Sequence, residues 1–141
     1  MYLIIGQKRA ALIDAGWDYD GDLPALCHAL TGGLPVDLLI AHGHPDHVAQ
    51  AGKFIEYGCK VYAPYADKSM KQLDCGLDFT HIEDLKDGMR FDLGGTVLQI
   101  YATPGHTPGS VVILDETPVI CLHPIRLAAI AVKFRTVHGS S

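Results

Sequence analysis

Six consecutive residues, His42-Gly43-His44-Pro45-Asp46-His47, hold three imidazoles and one carboxylate, and His106 stands in the turn Thr103-Pro104-Gly105-His106-Thr107-Pro108-Gly109. In an extended segment, side chains two residues apart point the same way, so His42, His44 and Asp46 can converge. Pro45 disfavours helix at His44. A helix that begins near Asp46 swings His47 away from the first three, an arrangement that suits two adjacent metal positions better than one. Imidazole and carboxylate are borderline to hard ligands, suited to Zn²⁺ and also to iron or manganese. Two X-Pro steps and two glycines make the second segment a rigid turn that presents one side chain. Three imidazoles and a water complete a catalytic zinc site, which makes His106 a candidate ligand beside the first cluster. A solvated loop with surface histidines is the plainer alternative, and three His with an Asp in six residues weigh against it. No Ser-His-Asp or nucleophilic Cys arrangement competes.

Short elements must position these segments. Tyr2–Ile5 and Ala10–Ile13 are apolar runs split by Gly6-Gln7-Lys8-Arg9, the pattern of a β-hairpin, and Asp14-Ala15-Gly16 ends the second run. Asp22 can cap a helix to about Leu30, with Pro24 in its first turn and Gly32-Gly33 stopping it. Val36–Ala41 is a continuous apolar run around Asp37, as expected of a strand covered on both faces. A helix is expected from His47 to Tyr57, ended by Gly58, then a strand over Lys60–Ala63 and a helix over Tyr65–Leu73. Phe79–Phe91 is polar and reads as loop. Thr96–Tyr101 and Ser110–Leu114 are β-rich runs on either side of the His106 turn. The order predicts a mixed α/β architecture.

Composition bounds the function. The 141 residues, 48% of them apolar, make one domain with a working core. No apolar run reaches the ~18 residues of a membrane span, and the N-terminus lacks the basic and apolar regions of a signal peptide. A net charge of −5 argues against nucleic-acid binding, leaving a small-molecule substrate as the expected partner. All 16 acidic residues lie at or before Glu116, whereas residues 117–141 carry Arg126, Lys133 and Arg135 and no acid, a compositional break. Cys27, Cys59, Cys75 and Cys121 form no C-x-x-C pair, which predicts a reducing, cytoplasmic setting. Cys27 and Cys121, among apolar neighbours, read as small buried hydrophobes.

The H-x-H-x-D-H motif at 42–47, the preceding strand ending Leu12-Ile13-Asp14-Ala15-Gly16, and Thr103-Pro104-Gly105-His106-Thr107-Pro108-Gly109-Ser110 together resemble the metallo-β-lactamase superfamily over residues 2 to about 122. The chain looks most like its glyoxalase-II-like metallo-hydrolase branch. The resemblance implies an α/β fold, an αββα sandwich with metals at one edge of two sheets. It implies that His42, His44 and His106 bind a first metal, that Asp46 and His47 belong to a second, and that Asp14 stands behind the ligands. A redox di-iron relative is expected to carry a carboxylate where His44 stands, so imidazole there favours zinc and hydrolysis. A zinc-bound water, its pKa lowered toward ~7, supplies hydroxide to attack an ester, thioester, lactone, amide or phosphodiester. Asp46 can orient that water or accept its proton.

The sequence departs from the family pattern in three places. Its first strand looks short or absent. The family's Gly-Asp strand end, whose carboxylate bridges both metals, corresponds to Val119-Ile120-Cys121-Leu122-His123-Pro124, which has no Asp. A later His ligand has no room. Residues 1–141 are therefore expected to form one incomplete sandwich, 1–116 on the family pattern and 117–141 a divergent tail. The tail is read either as frameshifted sequence or as a short variant in which His123 or His138 replaces a lost ligand. One tightly bound Zn²⁺ is expected, with the second site doubtful. A catalytically impaired metal-binding remnant is the alternative function. Loss of cover over one sheet would leave an apolar face, which a homodimer could bury.

Overall fold

Strand alternation explains how two sheets share one interior. In the first hairpin, Tyr2–Ile5 (β1) and Ala10–Ile13 (β2) pair antiparallel, with Tyr2 opposite Ile13. Leu3 and Leu12 face one side, packing with Phe54 and Cys27 from helices; Ile4 and Ile13 face the other, packing with Leu98 and Ile100 of the second sheet. An apolar residue at every position, rather than every second one, is what such two-sided burial requires.

The coordinates are a computed structural model that describes residues 1–16, 21–68 and 79–116, with the backbone alone at 119–122 and 131–134. The helix Leu23–Leu30 (α1) follows the capping residue Asp22, whose carboxylate accepts from Ala25 N at 3.1 Å. Next come strand Val36–Leu39 (β3), helices Pro45–Val48 (α2) and Ala51–Tyr57 (α3), and strand Val61–Ala63 (β4). A 3₁₀ turn at Tyr65–Asp67 leads out of β4. Strands Ile82–Asp84 (β5), Arg90–Asp92 (β6), Val97–Ala102 (β7), Val111–Glu116 (β8), Val119–Leu122 (β9) and Ala131–Phe134 (β10) complete the chain. One sheet has the order β10-β1-β2-β3-β4-β5 and the other β6-β7-β8-β9.

Helices cover one face of the six-stranded sheet, and the four-stranded sheet covers the other. Among the described residues this is the expected metallo-β-lactamase-like α/β sandwich, with one helical layer and both sheets. The far face of the four-stranded sheet is polar at its centre: Arg90 pairs with Glu116 at 2.7 Å and donates to Gln99 at 2.9 Å. Among the described residues no helix covers it, and none is long and apolar enough to cross a membrane.

Several expected elements take a different form. The single helix over His47–Tyr57 is two, α2 and α3, separated by Ala49 and Gln50. Gln50 is fully buried there, and its amide donates to Ala15 O at 2.8 Å, a tertiary bond that outweighs local helix propensity. The expected loop over Phe79–Phe91 contains β5 and the start of β6, strands of three residues each, too short for their alternation to stand out. Of the helix over Tyr65–Leu73, only the 3₁₀ turn lies in the described residues. Past Glu116, β9 pairs antiparallel with β8 and β10 parallel with β1. Cys75, His123, His138 and the side chain of Cys121 lie outside the described residues. Cys27 is buried and Cys59 half-buried, both unpaired as thiols; burial pushes the Cys27 thiol up to about 11.

Asp37, the one charge in the apolar run of β3, is buried and bound by both carboxylate oxygens to Arg9, at 2.7 and 2.6 Å. Burial still raises its pKa, with Arg9 opposing. Arg9 thus explains how a carboxylate sits inside a central parallel strand.

Candidate metal centre

The site lies where both sheets end. His42, His44, Asp46 and His47 follow β3 of the six-stranded sheet, and His106 lies between β7 and β8 of the other. A backbone bond from Val111 N to Ala41 O, 2.9 Å, joins the two strand ends. His44 is extended, with ψ 149°, as the following proline requires, and α2 starts at Pro45.

The structure brings all five expected residues together. His42, His44 and His106 form one group whose potential ligand atoms lie within 4.8 Å of one another, and His42, Asp46 and His47 form a second. His42 therefore belongs to both groups. The expected displacement of His47 is smaller than the sequence suggests: its ring centre lies 3.8 Å from that of His42. The rings of His42, His44 and His106 meet edge to face, with centres 4.7 to 4.9 Å apart. His106 Nε2 lies 3.1 Å from His44 Nδ1. Two nitrogens bound to one tetrahedral zinc at ~2.0–2.1 Å stand about 3.3 Å apart, so this pair is already at ligand spacing. His42 Nδ1 is buried without a hydrogen-bond partner among the described residues. The donor set and its spacing fit a metal ion.

Asp14 explains how His47 is aimed. Its backbone has φ 62°, the left-handed region that Asp tolerates better than most residues. From there one carboxylate oxygen accepts from Ala41 N at 2.9 Å, and the other lies 2.7 Å from His47 Nδ1. On the other edge of the ring, His47 Nε2 lies 3.6 Å from Asp46 Oδ2. The peptide after Asp14 clamps α2, with Ala15 N donating to His47 O at 2.9 Å.

Electrostatics separate the two buried histidines. Burial lowers the pKa of His42 to about 4, with His47, His44 and His106 adding to the shift and Asp14 opposing it. Burial also lowers that of His47, but the hydrogen bond and charge of Asp14, with the charge of Asp46, outweigh it and leave the value raised.

One residue of the site has no signal in the sequence. Asp67, on the 3₁₀ turn after β4, is 1% exposed. Its carboxylate accepts from Gly43 N, Thr107 Oγ1 and Gly109 N at 2.7 to 2.8 Å. Its partners are 24 to 42 residues away, so nothing in its own stretch of sequence marks it.

The family model of the metallo-β-lactamase superfamily matches residues 1–122. The chain belongs to this superfamily. An uncharacterized protein of Mycobacterium tuberculosis is 35% identical over 122 residues, covering 73% of this chain and 53% of its own. The hydroxyacylglutathione hydrolase of Anaeromyxobacter dehalogenans is 31% identical over 113 residues, 79% of this chain and 40% of that enzyme. Among solved structures, a metallo-β-lactamase superfamily protein of Sulfolobus tokodaii superposes with TM-score 0.63 at 20% identity, over 81% of this chain and 53% of that one. The subclass B3 metallo-β-lactamase of Bradyrhizobium japonicum superposes with TM-score 0.59 at 24% identity, over 80% of this chain and 48% of its own. The chain thus spans about half the length of the curated relatives it matches. Within the superfamily fold, the two histidine segments occupy one edge shared by both sheets.

Proposed function

We propose that this chain is a zinc-dependent hydrolase of a small-molecule ester, thioester, lactone, amide or phosphodiester. The observation that carries this is the convergence of His42, His44 and His106 from two sheets, with their potential ligand atoms within 4.8 Å of one another. Zinc supplies Lewis acidity and acidifies a water toward neutral pH. His42, His44 and His106 would hold the ion; the depressed pKa of His42 keeps its ring unprotonated at pH 7. Asp14 fixes the ring of His47. Asp46 projects from the first turn of α2 with 32% of its side chain exposed, where it can hold or accept a proton from an attacking water. The hydroxyacylglutathione hydrolases among the relatives place acylglutathione compounds first in a substrate panel.

Because His42 serves both ligand groups, one complete three-histidine site leaves only Asp46 and His47 for a second ion. One tightly held zinc per chain is the expected result of metal analysis; two tightly held ions would contradict the assignment. The functional test is hydrolysis of the panel with zinc, with chelator, and by His42→Ala. Turnover should require zinc and fall at least ~100-fold in the variant.

A second reading is a metal-binding remnant with impaired catalysis, favoured by the second ligand group, which keeps only Asp46 and His47 once His42 serves the first. Equal rates for the wild type and His42→Ala would select it.

A further inference from the structure

Asp67 touches neighbours of all three histidines of the first group. Gly43, whose N–H donates to Asp67 Oδ2 at 2.8 Å, lies between His42 and His44. Thr107, whose hydroxyl donates to the same oxygen at 2.8 Å, follows His106 directly. Gly109 N donates to Oδ1 at 2.7 Å and completes the grip on the second loop. One buried carboxylate therefore bridges a loop from each sheet, across 24 residues in one direction and 42 in the other.

The surroundings are built around this contact. A Cβ on Gly109 would lie 2.8 Å from Asp67 Oδ1 and 2.7 Å from Pro64 Cβ, so only glycine permits the approach. Thr107 is held in turn by Ser110, whose Oγ accepts from Thr107 N at 3.0 Å and lies 2.8 Å from Thr107 Oγ1. The Val111–Ala41 bond fixes the strand ends but leaves the loops beyond them to be oriented. Carboxylate–amide bonds are charge-assisted and stronger than neutral ones, and shielding from water strengthens them further.

We propose that Asp67 is a positioning residue, which sets the spacing of His42, His44 and His106 by clamping the two ligand-bearing loops through Gly43, Thr107 and Gly109. Its oxygens are taken up by these three donors and it is 1% exposed, so it acts through the loops. The importance of that spacing for zinc rests on the function proposed above; the clamp itself is a property of the metal-free chain.

The test uses Asp67→Ala and the milder Thr107→Val, with Leu98→Ala as a control that loosens the core between the sheets. Amide hydrogen exchange of the metal-free full chain should rise at least ~10-fold at Gly43 and Gly109 in Asp67→Ala, and less in Thr107→Val. Zinc affinity, measured by competition with a chromophoric chelator, should fall about 10- to 100-fold in Asp67→Ala. The spectrum of the cobalt-substituted variant should shift with it. Leu98→Ala should melt earlier yet bind zinc within about threefold of wild type. If Asp67→Ala does not fold, Thr107→Val carries the same two measurements. Unchanged exchange at both glycines, or zinc affinity that falls only in proportion to melting temperature across all variants, overturns the proposal. A wild-type chain that binds zinc but hydrolyses nothing overturns the hydrolase assignment and leaves the clamp standing. If the wild type binds no zinc, the exchange rates alone decide it.

Discussion

The rings of His42 and His47 lie 3.8 Å apart, centre to centre, yet their proton affinities move in opposite directions. His42, with a folded pKa near 4, binds fewer protons than the unfolded chain between pH 6.5 and 4, so its contribution falls as pH falls through that window. His47, with a raised folded pKa, binds more protons than the unfolded chain above pH 6.5, so its contribution is full below 6.5 and is lost as pH rises. The metal-free protein should therefore be most stable near pH 6.5 as far as these two groups decide it. Acidification to pH 4 should remove roughly 2–4 kcal/mol through His42. Thermal melting of the metal-free chain across pH 4–8 checks this, and His42→Gln should flatten the acid limb. At this scale the ligand types were legible because imidazoles crowd six residues. Asp67 was not, because a buried carboxylate that serves distant amides leaves no trace in its own neighbours.

Among the elements, the strands buried on both faces were readable from sequence: β1, β2 and β3 are apolar at nearly every position, and the exception, Asp37, has Arg9 as its partner. The three-residue strands β5 and β6 were not. Their place is fixed by pairing with β4 and β7, which no local window contains. The break between α2 and α3 is likewise decided by Gln50 reaching Ala15. The turn of the first hairpin shows how closely elements interlock. A Cβ on Gly6 would lie 2.1 Å from Leu93 O and 2.5 Å from Leu93 Cβ. Gly6→Ala must push the hairpin off the second sheet, since Lys8 N also bonds Leu93 O at 3.0 Å. A loss of about 2–4 kcal/mol is expected in denaturant unfolding of the metal-free chain. Gly52→Ala, where nothing lies within 4 Å of the added carbon, should cost nothing or stabilise slightly.

For the whole molecule, the layer order follows from burial: helices, six-stranded sheet, four-stranded sheet. The superfamily fold was legible because its histidine motifs and two-sided strands are both local patterns. An ion held between His44, which follows β3 of one sheet, and His106, between two strands of the other, would tie the layers directly. Zinc at 100 times its dissociation constant should stabilise the fold by about 2.7 kcal/mol. For a domain of this size that raises the melting temperature by roughly 5–15 °C. Scans with zinc and with chelator measure it; a shift under 2 °C at saturating zinc would mean that the ion does not bridge the sheets.

The separation of His44 from His106 by 62 residues also bears on how the native state is reached. The segment 42–47 can meet an ion while the chain is still open, but the third imidazole arrives only when the sheets have docked. Contacts formed that late govern escape from the native basin rather than entry into it. Zinc should accordingly slow unfolding far more than it speeds folding, making the ion a source of kinetic persistence.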